Sequence, residues 1–249
     1  MRFHTIQLLL IGAILPIFSL QAPAAPAAGE KKAAKPANQL TSKEKAAGWQ
    51  LLFDGQTTKG WHSFKKESFP DQGWAAQDGW LVCLGKGGAK GGGDILSDRE
   101  FNDFELTWDW KLVPKGNSGI KYFVLETRNE ALGHEYQMLD DVYGKEEQKL
   151  DGKHLTASFY AVLAPSGVKL KPSGGINHSR LLVKGNHVEH WLNSAKVLEY
   201  ECGSDEVKAG VAASKFKKVE GFGNKARGHI MLTDHNSQTW FRNVKLREL

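Results

Sequence analysis

From residue 104 the chain alternates apolar and polar residues. Phe104, Leu106, Trp108, Trp110 and Leu112 fall on one side, and Glu105, Thr107, Asp109 and Lys111 on the other. A side-chain period of two is that of a strand with one buried face. Pro114-Lys115-Gly116-Asn117 then reads as a turn, with residues 118–125 returning as a strand. Residues 48–54, 79–84, 134–139, 159–164, 179–184, 187–192 and 196–200 carry the same short strand signals. Gly185-Asn186 predicts a hairpin between two of them, and Asn193-Ser194 turns into the next. The last segment, GHIMLTDHNSQTWFRNVKLREL, reads as a second hairpin. It gathers Asp234, His235, Asn236 and Arg242 near one end, more polar chemistry than a turn requires. Long helical periodicity is nearly absent. Strands at this spacing predict an all-β jelly-roll sandwich of two antiparallel sheets. Eight Trp and twelve Phe can fill its core.

The N-terminus follows another pattern. Met1-Arg2 gives a positive start, residues 6–20 are apolar, and small residues rich in Ala and Pro follow. This predicts a signal peptide over residues 1–28, and so a periplasmic or secreted protein. The apolar run is shorter than the ~20 residues a membrane span needs. It contains no Cys for a lipid anchor and no twin arginine. Residues 29–47, rich in Ala, Lys and Pro, are expected to be a flexible tether, leaving residues 48–249 as one domain. The net charge of +5 comes partly from that tether, so a nucleic-acid partner is not expected. Cys83 and Cys202 permit one disulfide or two buried thiols. The Gly-rich run at 85–93 lacks the ending of a phosphate loop and is expected to be a loop rimming a binding site.

Five segments, in order, resemble the 3-keto-disaccharide hydrolase family: LLFDGQTTKGW (51–61), DFELTWDWKLVPKGNSGIKYFV (103–124), HEYQMLDD (134–141), VKGNHVEHWLNSAKVLEYE (183–201) and the terminal segment. The resemblance spans the whole domain. It implies a concanavalin-like jelly roll, an exported bacterial protein, and cleavage of glycosides whose sugar carries a ketone at its third carbon. It also implies a functional link to a sugar 3-dehydrogenase that makes the ketone. Two turns depart from the family pattern, since Asn193-Ser194 and Asp234-His235-Asn236 stand where relatives have Asn-Gly and Asp-His-Gly.

A ketone acidifies the neighbouring C–H bond. The resulting enolate can expel the glycosidic oxygen, and water then adds to the alkene. Such a route needs a base, a donor or cation for the enolate, and an acid for the leaving group. In HEYQML, Tyr136 and Met138 read as core, which turns Glu135 and Gln137 toward the opposite face. Glu135 is the candidate base, Lys121 the candidate enolate stabiliser and His235 the candidate acid, base or ligand. Asn117, Gln137, Asp234 and Arg242 are candidate sugar ligands. Asp140 is either a turn cap or the ligand of a divalent cation, for which no diagnostic spacing exists. The competing classes are a non-catalytic, lectin-like module and an ordinary glycosidase, whose two facing carboxylates the pattern does not supply.

Overall fold

The computed structural model describes Met1, residues 36–85 and residues 92–249. The expected signal peptide, the tether up to residue 35 and most of the Gly-rich run lie outside the described residues. Among the described residues, no helix is long and apolar enough to cross a membrane.

The chain from Pro36 to Leu249 is one compact unit built on two antiparallel sheets. The larger holds β1 (Gln50–Leu51), β3 (Trp74–Gln77), β4 (Trp80–Cys83), β6 (Phe104–Leu112), β9 (Asn177–Lys184), β10 (His187–Leu192), β11 (Ala195–Glu201) and β13 (Thr239–Glu248). Its order is β11-β10-β9-β6-β13-β4-β3, with β1 also paired to β13. The smaller holds β2 (Trp61–Ser63), β5 (Ile95–Phe101), β7 (Asn117–Val124), β8 (His134–Leu139) and β12 (Gly228–Leu232), in the order β2-β5-β12-β7-β8. This is the all-β jelly-roll sandwich that the alternation predicts.

β6 shows why the layers form. Its five apolar residues are buried, while Thr107, Asp109 and Lys111 stay partly exposed on the outer face. Tyr136 of β8 meets Trp108 of β6 across the core edge-to-face, with ring centroids 4.9 Å apart. Such a pair contributes about 0.5–1.5 kcal/mol beyond its buried area. Trp110 Nε1 and the Tyr136 hydroxyl both meet Ser179 Oγ, at 2.8 and 2.9 Å, so the polar tips of Trp110 and Tyr136 are satisfied, whereas Trp108 Nε1 is buried without a partner. Cys83 and Cys202 are free, buried thiols, and burial pushes each up to about 12.

Three sequence expectations are corrected. The terminal segment is not a hairpin: β12 pairs with β5 and β7, whereas β13 pairs with β6, β4 and β1 in the other sheet. The polar knot between them therefore crosses from one layer to the other. Residues 159–164 make only isolated bridges and turns, not a strand. The near absence of long helical periodicity holds among the described residues, where three short α-helices occur, α1 (Ser42–Ala46), α2 (Asp141–Glu146) and α3 (Asp205–Ala212), each opened by a side-chain cap: Thr41, Asp140 and Ser204. Residues 36–47 are not a free tether. Asn38 exchanges hydrogen bonds with Asn243 at 2.6 and 2.8 Å and donates to Gly79 O at 2.8 Å. Glu44 of α1 pairs with Lys245 of β13 at 2.8 Å.

Candidate active site

The β7–β8 ladder sets the register of the site. Lys121 lies opposite Glu135, Gly119 opposite Gln137, and Ile120 opposite Tyr136. Ile120, Tyr136 and Met138 take the core side, so side-chain alternation turns Lys121, Glu135 and Gln137 to the outer face of the smaller sheet. Residues 154–160 fold along that face and along the free edge of β8. Ala157 N donates to Gln137 O at 2.8 Å, and Tyr160 N donates to Glu135 O at 3.1 Å. Glu135 and Gln137 are consequently only 6% and 3% exposed, although neither belongs to the core.

These residues line a cleft of about 290 Å³ with Asn117, Lys121, Tyr160, Lys215 and His235. Two buried acceptors in it lack hydrogen-bond partners, Glu135 Oε1 and Gln137 Oε1. Gln137 Nε2 donates to Asn117 Oδ1 at 3.2 Å, which leaves its oxygen for a ligand. His235 Nε2 stands 3.8 Å from Glu135 Oε1, beyond hydrogen-bond length. Lys121 Nζ donates to Ala131 O at 3.3 Å. Unpaired acceptors beside an ammonium and an imidazole suit a hydroxyl-rich ligand with one oxygen that becomes negative.

Sequence patterning missed three residues here. Tyr160 presents a phenol that burial pushes up, with the Glu135 charge adding to the effect. Lys215 Nζ lies over the Tyr160 ring, 4.6 Å from its centroid. Asp94 stands behind Lys121, with Oδ2 3.8 Å from Nζ. Burial raises the Asp94 carboxyl against the opposing pull of Lys121. None of the three sits in a strand of the fold, and the strand signal at 159–164 gives Tyr160 no place on the β8 face, so periodicity does not bring them to the site.

Three candidates are not brought to the cleft. Arg242 belongs to the outer face of the larger sheet, over the Trp80 ring at 4.3 Å and 3.6 Å from Asp109 Oδ2. Its strand pairs with β6 and β4, so the guanidinium does not line the cleft. Asp234 turns into its own loop, where Oδ1 accepts from Asn236 N at 2.8 Å. It neither lines the cleft nor orients His235. Asp140 is the cap: it accepts from Lys115 N at 2.9 Å, Ser173 Oγ at 2.8 Å and Tyr143 N at 3.4 Å. Burial would raise its carboxyl, but these donors outweigh burial and lower it. Asp140 is therefore held as a helix cap away from Glu135 and His235, and these groups are not gathered at one point. A pocket of about 230 Å³ beside Asp140 is lined by Trp110, Leu112, Leu139 and Leu170 together with polar residues such as Ser173 and Asn177. Among the described residues, His187, Glu189 and Glu199 place ligand atoms within 4.8 Å of one another. Lys196 Nζ already stands 2.5 Å from Glu199 there.

Residues 48–247 match the 3-keto-alpha-glucoside-1,2-lyase-like domain. The chain belongs to this family. A relative named 3-keto-disaccharide hydrolase, from Bacteroides thetaiotaomicron, is 31% identical over 82% of this chain and 79% of its own length. The crystal structure of a candidate glycosyl hydrolase from Parabacteroides distasonis superposes with a TM-score of 0.76 at 33% identity, covering 86% of this chain and all of that one. A second structure from the same organism has a TM-score of 0.63 at 24% identity over 81% of this chain and 99% of its own, a likeness of fold. Membership makes the function carbohydrate-active. Ser194 and Asn236, where the resemblance implies glycines, both hold the left-handed backbone a glycine favours, with φ of 72° and 57°.

Proposed function

We propose that the protein is a glycosidic-bond-cleaving enzyme acting on 3-keto-glycosides, 3-keto-disaccharides among them, by elimination and then hydration. The observation that carries this reading is the buried, unpartnered Glu135 carboxylate facing His235 in the cleft that Lys121 lines. Glu135 takes the proton from the carbon between the ketone and the anomeric centre. The electron pair moves onto the ketone oxygen, where the Lys121 ammonium stabilises it. As the carbonyl re-forms, the bond to the glycosidic oxygen breaks and His235 protonates the leaving oxygen. Water then adds at the anomeric carbon, and a proton returns to its neighbour. Asn117 and the free Gln137 oxygen hold sugar hydroxyls.

An ordinary glycosidase needs two carboxylates flanking the bond. Here Asp94 sits behind Lys121, off the lining, and Glu130 lies at the exposed rim. The family and the name of the 31% identical relative agree with keto-sugar chemistry. The reading places the protein outside the cytoplasm, fed by a sugar 3-dehydrogenase.

The test is turnover of a chromogenic 3-keto-glucoside beside its unoxidised parent, with and without chelator. Cleavage of the keto compound alone is expected, and Glu135→Gln should lower kcat by about 10²–10⁴-fold, the usual contribution of a general base. Cleavage of the parent would mean ordinary hydrolysis. Cleavage of neither, with sugar binding retained, would mean a lectin-like module.

A further inference from the structure

The Lys121 ammonium and the His235 ring that face Glu135 come from strand β7 and from the loop after β12, and one side chain joins them from behind. Asp94, just before β5, accepts the backbone N–H of Asp234 on Oδ1 at 2.8 Å. Its other oxygen lies 3.8 Å from Lys121 Nζ. The first contact holds the loop that carries His235, and the second holds the ammonium of β7. We infer that Asp94 is a positioning residue of this site, fixing Lys121 over the cleft through its charge while its other oxygen anchors the His235 loop.

The surroundings favour that role. Asp94 does not line the cleft, so it acts through other groups. Its side chain is 24% exposed and that of Lys121 only 14%, so the pair is poorly screened by solvent. The groups around this carboxylate are Lys121, His235 and Glu135. Without Asp94, the Lys121 ammonium would be drawn toward Glu135, directly opposite on β8, and would neutralise the base it is meant to assist. Asp94 offers the ammonium a second anion and so keeps Glu135 Oε1 unpaired.

The inference rests on the keto-glycoside reading for its kinetic test but not for its structural one. Asp94→Asn keeps an oxygen to accept from Asp234 N–H and removes the charge; Asp94→Ala removes both. If the charge positions Lys121, Asp94→Asn should lower kcat about 10²-fold, the cost of an ångström-scale misplacement, with KM changed less. In a Lys121→Met background the same substitution should change kcat less than about twofold, because coupled sites are non-additive. Wild-type kcat in Asp94→Asn, or losses that multiply in the double variant, would overturn the inference while leaving the proposed function standing. Failure of the wild type to cleave any keto-glucoside would remove the reading instead. A crystal structure of Asp94→Asn then decides the inference without substrate. Lys121 swung onto Glu135 supports it, and Lys121 unmoved refutes it.

Discussion

Gly119 leaves empty the space that the Glu135 carboxylate occupies: a β-carbon on Gly119 would stand 2.4 Å from Glu135 Oε1. The two residues belong to neighbouring strands, and the missing side chain on β7 lets the acid of β8 lie flat against the sheet. Gly119 has no left-handed φ, so its backbone suits any residue and the demand for glycine is one of space alone. Gly119→Ala should therefore leave the fold intact and displace the base. The expected result is a fall in kcat of about 10²-fold with a melting temperature near that of the wild type, read by steady-state kinetics and thermal unfolding. Unchanged kcat would show that Glu135 does not work from this position.

Arg242 gives the opposite expectation. Its guanidinium stacks on Trp80 and faces Asp109 in the other sheet, away from the cleft. Arg242→Met should keep kcat/KM within about twofold and cost about 0.5–1 kcal/mol of stability, the range for an accessible cation–π contact. Urea unfolding beside the activity assay separates the two effects. A large loss of activity at unchanged stability would return Arg242 to the list of sugar ligands.

The turn at Asn193-Ser194 stores strain that a glycine in place of Ser194 would lack. Ser194 holds φ of 72°, a conformation that costs a residue with a β-carbon about 1–2 kcal/mol. Ser194→Gly should raise the melting temperature by roughly 2–4 °C per kcal/mol recovered, for a domain of this size. Catalysis should not change, because the turn joins β10 to β11 in the larger sheet. A lowered melting temperature would mean that the serine side chain makes a compensating bond.

Acid should destabilise the fold through two buried imidazoles. His190 Nδ1 donates to Ala157 O at 2.9 Å, and its Nε2 meets the Tyr122 hydroxyl at 2.8 Å. Tyr122 and His134 both meet the Tyr200 hydroxyl, at 2.6 and 2.9 Å. Burial lowers His134 from 6.5 to about 3 and His190 from 6.5 to about 4. Both rings stay neutral in the folded protein where the unfolded chain would charge them. Their contribution is complete above pH ~6.5 and is lost as pH falls toward 4 and then 3, at up to about 1.4 kcal/mol per pH unit for each ring. Urea unfolding between pH 7.5 and 4.5 should show this decline. Stability that is flat or rising over that interval would refute neutral burial.

What the sequence reveals about this molecule depends on how local the determining contact is. The β6 alternation and the Glu135/Tyr136 parity are properties of single strands, and both emerge in the structure as read. The pairing of β12 and β13 is not local. Two alternating segments joined by a polar knot fit a hairpin and an interlayer crossing equally well. Only the occupancy of the sheets decides, since β5, β7, β6 and β4 already flank the two strands. Residues 159–164 look strand-like because Phe159, Val162 and Leu163 are buried, but they reach burial by turning under the β8 edge. Asp94 follows a glycine run that shows no period, and only the fold brings it to Lys121. The helix α3 escapes patterning because just Val207 and Val211 are its buried apolar side chains.

The crossing between β12 and β13 ties activity to the docking of the two layers. Thr233 N still donates to Gly119 O in the smaller sheet, whereas Gln238 O already accepts from Val113 N next to the larger one. His235 rides on the few residues between these anchorages, while Glu135 is fixed within the smaller sheet alone. Any loosening that lets the sheets slide, even with every strand still paired, would pull the imidazole off the carboxylate. Turnover would then report on the closure of the sandwich and fail before backbone circular dichroism registers a change.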